Sequence, residues 1–154
     1  MPLSVYGWTK LLGDMLVRRI DPGALIVRTS VLFGRSGAAR KTFSEELLSG
    51  TVKEVHVDSW RNATSLSWFA STLLRLSGTD ASGVLILCSR ESHSRAAFAE
   101  MLLRAHGRQD FPIPGYRPAG VPSDLTMSPG RAGLLLGERI PGLEESIAME
   151  MERG

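Results

Sequence analysis

Tyr6 and Lys10, in the run Tyr6-Gly7-Trp8-Thr9-Lys10, are the two residues whose types and spacing most invite chemistry. On a helix, positions i and i+4 share a face, about one turn or ~5.4 Å apart along the axis. A free phenol ionises near pH ~10, too high to exchange a proton with a carbonyl or an alcohol at neutral pH. An ammonium one turn away favours the phenolate and brings proton exchange closer to neutrality. The same ammonium can hydrogen-bond the ribose hydroxyls of a nicotinamide cofactor. The competing reading is a tyrosine and a lysine on the wet side of an amphipathic helix, because two fixed residues make a weak pattern.

Elements suited to positioning such a pair can be read along the chain. Apolar residues at 5, 8, 12, 15, 16 and 20 predict a helix over Val5–Ile20, stopped by Asp21-Pro22-Gly23. Tyr6 and Lys10 fall beside the apolar stripe, where they can face a cleft. Residues 24–30 read as a mostly buried strand, followed by a glycine-containing loop over 34–40. A short helix over 43–49, a short strand over 54–57 and a helix over 66–76 come next. Residues 83–88 form a second buried-type strand, and Ser94 caps a helix that ends near Gly107. The chain then turns irregular through Pro112, Pro114, Pro118 and Pro122. Two short helices follow, over 128–137 and 141–152.

Strands alternating with helices imply parallel pairing and an α/β class. Two buried-type strands and one short strand are few for that architecture, so the sequence reads as part of a sheet. Residues 25–27 are expected to pair with residues 84–86 and to leave their other edge open.

The composition sets limits on partners. The 154 residues are 43% hydrophobic and 22% charged, ordinary for a globular chain able to bury a core. Eighteen Lys+Arg against 16 Asp+Glu, without a basic block, disfavour nucleic acid or an anionic membrane as main partner. Cys88 is the single cysteine, set in an apolar run, so no internal disulfide and no metal site is expected. No apolar stretch is long enough to span a membrane and the first residues do not read as a secretory signal, which makes a cytoplasmic location the expectation. The triplet Asn62-Ala63-Thr64 fits a glycosylation pattern without consequence in that compartment.

Residues 2–14, from Pro2 through Tyr6 and Lys10 to Gly13-Asp14, resemble the P-x-x-x-Y-G-x-[ST]-K-x-x-G-[ED] segment of extended short-chain dehydrogenase/reductases, dTDP-4-dehydrorhamnose reductase-like in particular. Residues 24–34 are similar to the strand that follows in that family. Residues 58–64, 83–87, 94–99 and 117–128 match its later segments in the same order. The likeness runs from Pro2 to about Gly137.

The resemblance implies the carboxyl-terminal part of a Rossmann-type parallel sheet plus the small substrate-binding region. Residues 1–154 would then be a single partial domain: 1–34 holds the Tyr/Lys helix and the strand after it, and 35–154 the substrate side with a returning strand near 83–88. It further implies that Tyr6 protonates the carbonyl oxygen of a 4-keto nucleotide-sugar, while Lys10 holds the nicotinamide ribose and tunes Tyr6. Tyr6, Lys10, Thr29 and Ser30 would meet NADPH or NADH. Val31, Arg61 and Arg28 would meet the substrate, with an ordinary ion pair as the alternative for Arg28.

Val31 stands where rhamnose-type reductases tend to carry Trp, and Ala63 replaces a Pro, so the particular sugar is left open. The glycine-rich turn that grips a pyrophosphate is expected upstream of the Tyr/Lys helix and is not found in the chain. Weak or absent cofactor binding and an inactive isolated chain are therefore expected. A non-catalytic nucleotide-sugar-binding or regulatory module, and an epimerase or dehydratase fragment, are the alternatives. Association with a second copy or a companion chain through the open sheet edge is also expected.

Overall fold

Helix α1 spans Val5–Ile20, the bounds that the apolar period predicts. Ser4 caps it by accepting a hydrogen bond from the Gly7 N–H at 3.1 Å, and Arg18 and Arg19 sit in the last turn, where the helix dipole favours cations. The computed structural model describes residues 4–37 and 39–152. Pro2 and Leu3 of the amino-terminal motif, and Ala38 of the glycine-containing loop, lie outside those described residues.

After α1 come β1 (Leu25–Arg28), β2 (Leu32–Phe33), α2 (Phe43–Leu48), β3 (Glu54–His56), β4 (Trp60–Arg61) and β5 (Thr64–Ser65). They are followed by α3 (Leu66–Ser77), β6 (Gly83–Ile86), β7 (His93–Ser94), α4 (Arg95–Ala105), β8 (Ile113–Gly115), α5 (Gly130–Leu136) and α6 (Leu143–Met151). The strands form four pairs, of which β1–β6, β2–β5 and β3–β8 are parallel and β4–β7 is antiparallel. This is the α/β architecture with pieces of parallel sheet.

β1 pairs with β6 in the expected register, Ile26 opposite Val84 and Val27 opposite Leu85. Ala24 O and Arg28 O accept from Gly83 N and Leu87 N, so by strand alternation Leu25 and Val27 turn their backbone groups to the far side. No strand covers that far edge among the described residues. The outer edge of β6, in contrast, is capped: the Arg131 guanidinium donates to Val84 O and Ser82 O.

Two apolar clusters hold the elements. One gathers Phe33, Leu47, Val55, Phe98, Leu102, Leu103, Leu143 and Ile147, and so binds α2, α4 and α6 to the short strands. The other gathers Leu76, Leu85, Leu87, Ala132 and Ile140, with Leu25 and Val27 packed against it, and so packs α3 and α5 against the β1–β6 pair. Helix α1 contributes no buried residue to either. Its apolar stripe points outward, with Val5 82% and Ile20 83% exposed.

The structure adds elements that the sequence reading leaves as loop. The proline-rich stretch holds β8, which runs parallel to β3 with Ile113 N donating to Lys53 O and Val57 N donating to Gly115 O. Pro114 occupies the alternate position, where its missing N–H removes no bond to β3. The two late helices begin at Gly130 and Leu143, close behind Pro129 and Pro141.

Candidate functional site

Tyr6 and Lys10 project from neighbouring turns of α1, and the Lys10 ammonium lies 5.2 Å from the centroid of the Tyr6 ring. Tyr6 is 71% exposed, yet it does not stand on a convex surface. With Gly7, Lys10, Leu11 and Asp14 it forms one wall of a groove of about 910 Å³. Ile26, Val27, Arg28 and Thr29 of the adjoining strand and its end form the other wall, and Met127 closes one side.

The end of β1 leads directly into a second hollow of about 480 Å³, lined by Thr29, Ser30, Val31, Arg61, Asp124, Leu125, Thr126 and Met127. Thr29 and Met127 line both spaces, so the two hollows are contiguous. Val31 is fixed there because its carbonyl accepts from Thr64 N at 2.9 Å. The Thr29 hydroxyl oxygen is buried and has no hydrogen-bond partner among the described residues. A polar group of a bound molecule would satisfy it.

All seven residues singled out in the sequence thus line one continuous surface, although two carry other commitments. Arg28 reaches back to α1: its Nε donates to Asp14 Oδ2 at 2.8 Å, and its Nη2 donates to the same oxygen. That is the ion-pair alternative, and it ties strand to helix. Arg61 donates to Trp60 O, Ser123 O and Pro122 O, and so braces the 122–124 segment. Burial lowers its pKa, nearby Asp124 works in the opposite direction, and Arg117 adds like-charge repulsion.

Asn62 and Met127 belong to the site without having been singled out as site residues. Asn62 is fully buried; its Nδ2 donates to Ser89 O, Glu91 O and Met127 O, and its Oδ1 accepts from Met127 N at 2.8 Å. This side chain pins the residue that both hollows share. Its burial also closes the glycosylation triplet to any enzyme acting on the folded chain. Cys88 lies in the interior, where burial pushes its thiol up to about 11. It is no nucleophile at neutral pH.

Among its described residues, the glycine-containing loop between β2 and α2 offers no pyrophosphate cradle. Thr42 and Glu45 form a capping box at the start of α2, with Thr42 N donating to Glu45 Oε2 at 2.7 Å. The helix supplies its own carboxylate where an anion would have to sit. The Thr42 backbone N–H, acting against partial burial, holds the Glu45 carboxyl below its ordinary value. Gly130 and Gly133, for their part, lie inside α5 and follow no strand. No helix among the described residues is long and apolar enough to cross a membrane.

Comparison with known proteins adds the following. The model of the family described as RmlD substrate binding domain matches residues 1–129. A dTDP-4-dehydrorhamnose reductase of Sinorhizobium fredii is 29% identical over 169 aligned positions, covering 94% of this chain and 55% of the relative. The chain thus spans about half the length of that curated relative. The crystal structure of dTDP-4-dehydrorhamnose reductase from Bacillus anthracis in complex with NADP superposes with a TM-score of 0.85 at 20% identity, over 99% of this chain and 55% of that one. MoeE5 in complex with UDP-glucuronic acid and NAD superposes with a TM-score of 0.78 at 23% identity, over 99% and 56%. At these identities the structural likeness establishes the fold.

Proposed function

This chain belongs to the RmlD substrate binding domain family, and we propose that it is the substrate-side part of an NAD(P)-dependent reductase of 4-keto nucleotide-sugars. One observation carries the reading: the Tyr6–Lys10 groove opens through Thr29 and Met127 into the hollow of Val31 and Arg61. A sugar seated across that junction brings its carbonyl to Tyr6 and leaves its nucleotide toward Arg61. The relatives support this in kind, since solved neighbours are named as holding NADP or NAD and a nucleotide-sugar.

The nicotinamide end of the cofactor fits the groove on two grounds, the Lys10 ammonium facing it and the buried Thr29 hydroxyl without a partner. The bound cofactor would supply the hydride. Tyr6 then passes its phenolic proton to the carbonyl oxygen, whose negative charge grows as the reduction proceeds. Lys10 stabilises the phenolate left behind and holds ribose hydroxyls. Thr29, Ser30 and Val31 shape the space around the reacting carbon, and Arg61 keeps the 122–124 segment braced beside it.

The pyrophosphate of such a cofactor finds no glycine-rich strand–turn–helix among the described residues. Titration of the 154-residue chain with NADPH in a calorimeter is expected to give roughly millimolar affinity or weaker. Micromolar binding would show that the chain grips the whole dinucleotide and would overturn that part of the reading.

The bare edge of β1 and the outward stripe of α1 both favour association with a second copy or a companion chain. Sedimentation of the chain is expected to show concentration-dependent association, weakened by Leu16→Glu on the exposed stripe. A monodisperse monomer at every concentration would reject it.

A further inference from the structure

The Tyr6–Lys10 groove contains a competitor. Asp14 stands one turn beyond Lys10 on the face of α1 that lines the groove, and it is the only acidic residue lining that space among the described residues. Positions i and i+4 are where a lysine and an aspartate normally pair on a helix. Lys10 nevertheless makes no ion pair among the described residues, and its ammonium lies over the Tyr6 ring. The reason is on the next element: Arg28 at the end of β1 places both Nε and Nη2 on Asp14 Oδ2. A guanidinium giving two donors to one carboxylate holds it in a fixed geometry that a flexible ammonium does not match.

We propose that Arg28 is a positioning residue for Lys10: by engaging Asp14 across the groove, it keeps that carboxylate from drawing the Lys10 ammonium away from Tyr6. The inference rests on the proposed pairing of Tyr6 with Lys10 and deepens it. It assigns Arg28 a role exerted through Asp14, without contact to phosphate. It also gives Asp14 a purpose, because an aspartate beside a working lysine is harmful unless something else holds it.

The sequence contains three lysines, Lys10, Lys41 and Lys53, so reductive methylation with ¹³C-formaldehyde yields few N-methyl signals and leaves the charges in place. The Lys10 signal, assigned by its loss in Lys10→Arg, is expected to be displaced upfield by the Tyr6 ring, with the displacement lost in Tyr6→Leu. Arg28→Met is expected to abolish the displacement as Lys10 turns to Asp14, and adding Asp14→Asn to Arg28→Met is expected to restore it. Asp14→Asn alone also breaks the bridge, yet it should leave Lys10 over the ring. If the bridge merely fastened β1 to α1, both variants carrying Asp14→Asn would lose the displacement, and the proposal would fall. An upfield signal indifferent to Arg28 would overturn it as well while sparing the Tyr6–Lys10 pairing. Absence of any Tyr6-dependent displacement in the unsubstituted chain would remove both.

Discussion

Tyr6→Phe is expected to lower kcat by about 10²-fold or more, the usual contribution of a positioned proton donor, while binding of the sugar substrate stays close to unchanged. The assay supplies this chain with the part of the Sinorhizobium fredii reductase that it does not match, and follows NADPH oxidation with a 4-keto nucleotide-sugar. Phenylalanine keeps the ring that lies 5.2 Å from the Lys10 ammonium and removes only the hydroxyl. A loss confined to kcat therefore reports an interaction made in the transition state rather than a misplaced helix. Lys10→Met is expected to behave differently, raising KM for NADPH as well as lowering kcat, because Lys10 is assigned both the ribose and the phenolate. Full activity in Tyr6→Phe would show that Tyr6 is not the proton donor, whereas sugar binding without turnover in the unsubstituted assembly would favour the regulatory alternative.

Features that depend on neighbours in sequence were legible before any coordinates. The 3.6-residue period of α1 gives its ends, the i, i+4 spacing gives the Tyr6–Lys10 face, and Ser94 caps α4 by accepting from Ala97 N. The pairing of β1 with β6 was legible too, since two apolar runs separated by helices leave few partners. Features that depend on distant partners were not. The two-residue strands β2, β4, β5 and β7 exist only through pairs such as Leu32 with Thr64 and Arg61 with His93. β8 was hidden because Pro114 argues against a strand unless one knows which edge faces β3.

The orientation of α1 belongs to the same category. Its apolar period announces a face to be covered but does not say by what, and within this chain that face stays exposed. Arg28 shows how a correct residue can carry an undetermined role. Its position beside the groove could be read from the strand, but its partner, Asp14, could not.

Asn62→Leu should be the most damaging single change in the site's scaffold, at about 3–5 kcal/mol, because one substitution strands several buried partners at roughly 1–3 kcal/mol each. Leucine keeps the branching at Cγ but is larger, so at this fully buried position crowding adds to the loss of the hydrogen bonds. The carbonyls of Ser89, Glu91 and Met127 would lose the two amide N–H donors that they share, and the Met127 N–H would lose its acceptor. Not all of these penalties add, since the 122–129 segment can lift away and expose its groups to water. That relief has a cost in geometry: Met127 then leaves the junction that links the Tyr6–Lys10 groove to the Val31–Arg61 hollow. Urea unfolding measures the stability loss, and in the assembled assay the same variant is expected to raise KM for the sugar at temperatures where it remains folded. A loss below about 1 kcal/mol, or an unchanged KM, would mean that the junction is held by something other than the Asn62 amide.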